Sequence, residues 1–393
     1  MAVEPLERPE ISGARPPRAW VPIGRAMRSA FDPRKVLIAA VGLLLYRAGA
    51  AGIDRILLGP ESAASRLANL PVGGVDGWGP IPAQLAEAAV RVAEPARVVI
   101  GPFLMIFRGR TTPVGFVAAI LLALWGVAVW GIAGGAIGRI AAVELAGAGR
   151  VGVGTAIRFA LRRPAGLIGA PLAPFLAVFL LALPCVAIGL LYRIPGTAGA
   201  TIAGALAFVP LFCGLGLTII LVGLAAAWPL MHLTVAAEGE DIFDALSRSY
   251  AYVNQRGIGY AILVALAWAF GTLGQWLASW LARAVVGLAG WSLAISGPAL
   301  DLSRLYNLGS AGSEGRVGPV ESAHGVWMAA VALLVHAWAY SYFWSAAAAI
   351  YLRLRLDVDG TPEDDIYFPE HDADPFAPEA DPAPEPAPIR SAD

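Results

Sequence analysis

The side chains that could do chemistry in this chain are few, and most stand at the ends of apolar runs. Glu144 and Glu238 each close such a run, and each is followed shortly by a glycine, Gly147 and Gly239. Arg158 and Arg162 lie on the stretch after the first acid, Asp244 and Arg248 on the stretch after the second. Each pair has the i, i+4 spacing of helix neighbours, which lets Asp244 pair with Arg248. Such groups could hold a lipid headgroup or a charged partner surface. The plainer alternative, a capping acid with a surface salt bridge, weighs more, because charge at the end of a span costs far less than charge at mid-bilayer. Glu144 with Arg139 is read the same way. His232 and His336 fall inside apolar runs, which makes each a proton-relay candidate against a hydrogen-bonded packing histidine as the favoured alternative.

Other chemistry is not supported. Cys185 and Cys213 sit in apolar runs with no CxxC spacing and no nearby histidine, so they read as buried small residues. Neither a phosphate-cradling GxxxxGK[ST] nor an HExxH occurs. The expectation is a protein that is not an enzyme, with no cofactor, no metal and no nucleic acid partner.

The elements that carry these residues are dictated by composition. Apolar residues make up 58% of the chain and charged residues 15%, against roughly 25% charge in a soluble domain. Mean hydropathy is +0.66. Lipid can cover that much apolar surface. The runs predict an all-α polytopic transmembrane fold of about six spans: 36–57, 114–137, 167–191, 200–236, 258–281 and 326–352. The fourth run is too long for one perpendicular crossing and is expected to bend near Pro210 or project from the membrane. The third carries Pro171, Pro174 and Pro184, read as kinks in preference to a broken-helix substrate site. In the second, Gly131/Gly135 and Gly134/Gly138 form two small-xxx-small pairs that let neighbouring backbones approach. The apolar stretch 98–107 is too short to cross a ~30 Å core and reads as interfacial or re-entrant.

Around the spans lie a basic arm (1–35), the membrane domain (36–356) and an acidic Pro-rich tail (357–393). The tail carries 12 acids and one base, the rest of the chain 27 bases and 17 acids. The tail is expected to be disordered. Arg47 before Ala48-Gly49-Ala50 argues against signal cleavage, so the first span is expected as a retained anchor. Arg25, Arg28, Arg34, Lys35, Arg158, Arg162, Arg163, Arg353 and Arg355 cluster on one side, which the positive-inside rule makes cytoplasmic, with both termini in. Amphipathic helices at 20–31, 151–163 and 241–255 are expected on that face. There they would offer anionic headgroups a collar for which the tail could compete.

The order span, Glu-Gly region, amphipathic helix, span occurs twice, which reads as a parallel duplication. In the second copy, Glu238-Gly239, then Ala245-Leu246-Ser247-Arg248-Ser249-Tyr250, then a span from Ile258, resembles the membrane domain found beside bacterial glycerophosphodiester phosphodiesterases and in related stand-alone polytopic proteins. The likeness covers 112–356. It implies a bacterial helical membrane module, sited in the inner membrane. The chain has no soluble phosphodiesterase domain, and His232, His324, His336 and His371 form no catalytic grouping, so that activity does not carry over. The leading expectation is a non-enzymatic module engaging membrane lipids, a membrane protein partner or a second copy of itself at the cytoplasmic face. The alternative is a small-solute transporter or channel.

Overall fold

The structure, a computed structural model, describes residues 20–60, 80–107, 112–295 and 319–368. The arm before residue 20, the segments 61–79, 108–111 and 296–318, and the tail beyond 368 lie outside the described residues. Every regular element among the described residues is a helix. In chain order these are α1 (Trp20–Ser29), α2 (Pro33–Leu57), α3 (Ile81–Val92), α4 (Glu94–Ile106), α5 (Pro113–Leu145) and α6 (Val153–Arg162). A π-helical turn (Ala165–Gly169) then leads into α7 (Ala170–Leu191), followed by α8 (Thr197–Ala205), α9 (Phe208–Glu238), α10 (Ile242–Gln255), α11 (Gly257–Ala294) and α12 (Pro319–Asp359). Six of these, α2, α5, α7 with its leading turn, α9, α11 and α12, are long and apolar enough to cross a membrane. The chain is an integral membrane protein of polytopic all-α build. The end where α2 begins and α12 finishes is here the basal end, and the opposite end is apical.

Local chemistry sets the boundaries. The Asp32 carboxylate caps α2 by accepting from the Arg34 N–H, with Pro33 at the first turn, where a missing N–H costs nothing. Thr112 and Pro113 open α5 in the same way. α9 stops at Gly239, whose φ of +71° ends the helix, and Gly147 after α5 has a φ of +73°. Both copies of the expected repeat therefore end their first span on a left-handed glycine. The long fourth run breaks between α8 and α9, just before Pro210. α11 outruns its expected end and continues to Ala294, about 57 Å of helix.

The paired glycines of α5 serve different neighbours. A Cβ at Gly131 or Gly135 would meet Leu167 of the turn before α7, while one at Gly134 would collide with the Trp344 ring of α12. One at Gly138 would press on Leu233 of α9. α5 is thus the central post, and side chains pack into its backbone from three sides. Around it an aromatic layer fills the middle of the bundle: Trp130 stacks on Tyr340 at 4.4 Å, Trp228 on Phe343 at 5.5 Å, and Trp344 meets His232 edge-on at 5.0 Å.

The amphipathic helices dock on protein with faces rotated from those expected. On α1, Ile23 and Ala26 are buried, and the Ala30 carbonyl just beyond it accepts from Ser341 Oγ of α12 at 2.8 Å, while Arg25 and Arg28 stay exposed. α6 buries Ala156, Phe159 and Ala160 and leaves Leu161 outward. α10 buries Ala245, Ser249 and Tyr252 and exposes Phe243. A helix wedged between protein and lipid has two apolar directions, and hydrophobic spacing alone does not say which one meets the bundle.

Two segments decide where function can sit. α3 and α4 are separated by Ala93 alone. α3 runs along α11 from Arg283, which reaches Gln84, to Gly271, which lies against Val92. α4 then returns along α5, at 13 residues too short to cross. α3 and α4 thus form a hairpin, and the stretch 98–107, expected to be interfacial or re-entrant, lies on its second arm. At the base, the expectation of disorder from 357 fails for the first residues of the tail. α12 runs on to Asp359, and residues 360–368 fold back as a strap whose Tyr367 N–H donates to the Ala237 carbonyl at 2.9 Å. Ile366, Tyr367 and Phe368 give this piece of the tail apolar surface to bury, and Ile366 is 7% exposed.

Candidate functional site

At the base, Glu238 is the hub of a closed network. Its Oε1 accepts from the Tyr351 hydroxyl at 2.5 Å and from Arg355 at 3.3 Å, and its Oε2 accepts from Arg248. Arg248 also reaches Glu240 at 3.1 Å, so it turns back along the chain and not toward Asp244. Asp241 caps α10 by accepting from the N–H groups of Phe243 and Asp244, and this capped first turn leaves the Asp244 side chain exposed. Burial alone would lower Arg248, but Glu238 and Glu240 outweigh it and hold the guanidinium above its usual range. Burial, aided by Asp244 and Glu238 against the pull of Arg248, pushes Glu240 up.

Glu144 finds a different partner from the one expected. Its Oε2 accepts from Lys35 Nζ and Ser29 Oγ, each at 2.8 Å, which ties α5 to the α1–α2 corner. Arg139, five residues earlier on α5, faces α9 instead. It donates to the Ala236 carbonyl at 2.9 Å and to the Tyr367 carbonyl of the strap at 2.5 Å, and its guanidinium lies between the rings of Phe159 and Phe368. Arg163 donates to the Gly239 carbonyl and stacks on Tyr367. Arg355 secures the strap through the carbonyls of Pro362 and Asp365. The strap thus meets the basic face mainly through main-chain oxygens and aromatic rings, while Asp357, where the acidic stretch begins, pairs with Arg353 at 2.9 Å. One carboxylate of the strap, Glu363, comes within 4.0 Å of Arg25. Of the expected site residues, Glu144, Glu238 and Arg248 are joined to the bundle by ion pairs, while Asp244, Arg158 and Arg162 stay exposed.

On the apical side of the aromatic layer the structure brings together residues that sequence reading left apart. The elbow of the α3–α4 hairpin places Glu94 against α2 and α12. Glu94 Oε2 lies 2.7 Å from His336 Nε2, Oε1 lies 3.8 Å from Arg47, and the Tyr340 hydroxyl reaches Oε1 at 3.5 Å. His336 is 3% exposed, and its Nδ1 is buried without a hydrogen-bond partner among the described residues. Arg91 pairs with Glu87 one turn before the elbow. Arg47, Glu87, Arg91 and Glu94 border an open cleft of about 920 Å³ between the hairpin and the α2–α5 wall, while His336 and Tyr340 lie outside its lining. Its lining includes Arg47, Glu87, Arg91, Glu94 and Arg97 together with Leu43, Leu104, Met105 and Leu122. A signal for this cluster was present: Glu87, Arg91 and Glu94 follow one another at i, i+4 and i+7, and His336 and Tyr340 at i, i+4. What joins the two sets is a contact between residues 242 positions apart, which no local pattern encodes.

The arrangement can hold charge and exchange protons at the Glu94–His336 contact. Among the described residues, no group of three or more His, Cys, Asp or Glu side chains is placed to hold a metal. Comparison with protein-family models, curated proteins and solved structures finds no match.

Proposed function

We propose that this protein is a non-enzymatic membrane module that engages anionic lipid headgroups at its basal rim, with that rim facing the cytoplasm of a bacterial inner membrane. One observation carries the reading. α6 buries one face against the bundle and presents Arg158 and Arg162 outward, next to the exposed Leu161, while the basal acids Glu144 and Glu238 are engaged elsewhere. Cations left over at the level of a helix rim attract anionic headgroups with on the order of 1 kcal/mol each. The orientation rests on the basic residues gathered at this end. Purification of the full chain in nanodiscs with mixed anionic and zwitterionic lipid tests it. Anionic lipid should be enriched around the wild type, and the Arg158→Gln, Arg162→Gln double variant should lose that enrichment. Equal lipid composition around both proteins would sink the reading.

A second reading, a small-solute transporter, draws on the buried Glu94–His336 contact, since an ionisable pair inside a membrane protein is by default a functional hypothesis. Against it, the aromatic layer of Trp130, Tyr340, Trp344 and Trp228 fills the bundle between this contact and the basal network. Proton-linked uptake of any solute into proteoliposomes, abolished in Glu94→Gln, would move the balance to transport.

A further inference from the structure

We infer that the apical cleft is a second, separate lipid site, which holds one anionic phospholipid with its headgroup among the hairpin arginines and its chains along α4. This inference does not rest on the basal rim, since the two sites share no residue.

Three features point the same way. The first is charge. Arg47, Arg91 and Arg97 line the cleft against Glu87 and Glu94. Glu87 is taken up by Arg91, and Glu94 is shared between His336 and Arg47. Arg97 is exposed, with no ion-pair partner among the described residues. The lining therefore carries more cation than its own acids neutralise, and it favours an anion. Arginine forks suit a phosphate oxygen pair better than a point charge would.

The second is polarity along the cleft. Away from the arginines the lining turns apolar, and Leu104 and Met105 of α4 are 61% and 46% exposed. A small water-soluble anion would leave these side chains uncovered, whereas an acyl chain covers them. The third is continuation. On the far side of α4 lie two smaller apolar cavities, of about 280 and 90 Å³. The larger is walled by Trp228, Tyr260 and Phe343, the smaller by Phe103, Phe175 and Leu224. Ile100 lines all three spaces, so one short helix separates the cleft from both. That helix carries Pro102, which cannot donate to the ladder and weakens it at this point. A ligand with one charged end and long apolar chains matches this layout, and the bilayer around the hairpin supplies it.

The test uses the full chain, delipidated in mild detergent and titrated separately with phosphatidylglycerol and with phosphatidylcholine of the same chains, bound lipid being counted by native mass spectrometry. Glycerol phosphate serves as the free-anion competitor. Two variants address the cleft at exposed positions: Arg97→Gln, and Leu104→Trp, which fills the apolar end. Each is expected to weaken phosphatidylglycerol binding about tenfold while the melting temperature stays at the wild-type value. Arg158→Gln with Arg162→Gln should leave this binding event in place, which separates it from the basal rim. If both cleft variants bind phosphatidylglycerol like the wild type, the site is overturned. Equal affinity for phosphatidylcholine would overturn the anionic headgroup, and full competition by glycerol phosphate would overturn the lipid in favour of a free phosphate ester.

Discussion

Both ends of the bundle bury arginines beside glutamates, yet they use them differently. At the base, Glu238 takes donors from Tyr351, Arg355 and Arg248, and Arg139, Arg163 and Arg355 pass their remaining donors to main-chain carbonyls of α9, its cap and the strap. At the apex, Glu94 meets His336 and Arg47 on the wall of a cleft. Similar residue types serve cohesion where packing closes around them and recognition where packing leaves space. Satisfied donors hold helices together, because breaking such a set strands a charge in a poor solvent. Groups that face a cavity can exchange one partner for another.

The comparison can be broken by measurement. Glu238→Gln should be the most damaging change, because it leaves Arg355, 2% exposed, without its carboxylate. A loss of roughly 3 kcal/mol is expected, read as a lower thermal midpoint in detergent, and a wild-type midpoint would show that the base is not the lock described here. Truncation before Gly360 comes next. It removes the carbonyl acceptors that Arg139 and Arg355 use on the strap, and about 2 kcal/mol should go with them; truncation after Phe368 keeps those contacts and should keep the midpoint.

Glu94→Gln should cost less, about 1 kcal/mol, because the amide oxygen can still face His336 Nε2, and Arg47, 3.8 Å away, lies on the cleft wall where water can replace the carboxylate. A cost equal to that of Glu238→Gln would make the apex a second lock and weaken its role as a site. The smallest effect belongs to Glu240. Burial, with Asp244 and Glu238 beside it, raises its carboxyl above the ordinary 4.5, so the folded protein binds this proton more tightly than the unfolded chain does. The penalty is therefore full at neutral pH and fades as pH falls through the folded pKa toward 4.5. Glu240→Gln should raise the midpoint slightly at pH 7, by no more than roughly 0.5 kcal/mol, and lose that advantage near pH 4.5. An unchanged difference across this range would remove Glu240 from the account.

The sequence by itself determined the class of molecule and most of its long elements. Each span is an apolar run bounded by a cap, a glycine or a charge, and those signals are local: Asp32 before Pro33, Thr112 before Pro113, Gly239 after Glu238. The glycine pairs of α5 and the break before Pro210 were legible for the same reason, since a missing Cβ or N–H acts where it stands. The faces of α6 and α10 were not, because periodicity marks an apolar side without saying whether protein or lipid covers it. Nor were the partners of the charges. Glu144 meets Lys35 across 109 positions, Glu238 meets Arg355 across 117, and Arg139 meets the Tyr367 carbonyl across 228. Only the tertiary structure decided these, because a buried charge goes to whichever donor or acceptor the packing of helices brings within about 3 Å, and that distance is set by the whole bundle at once.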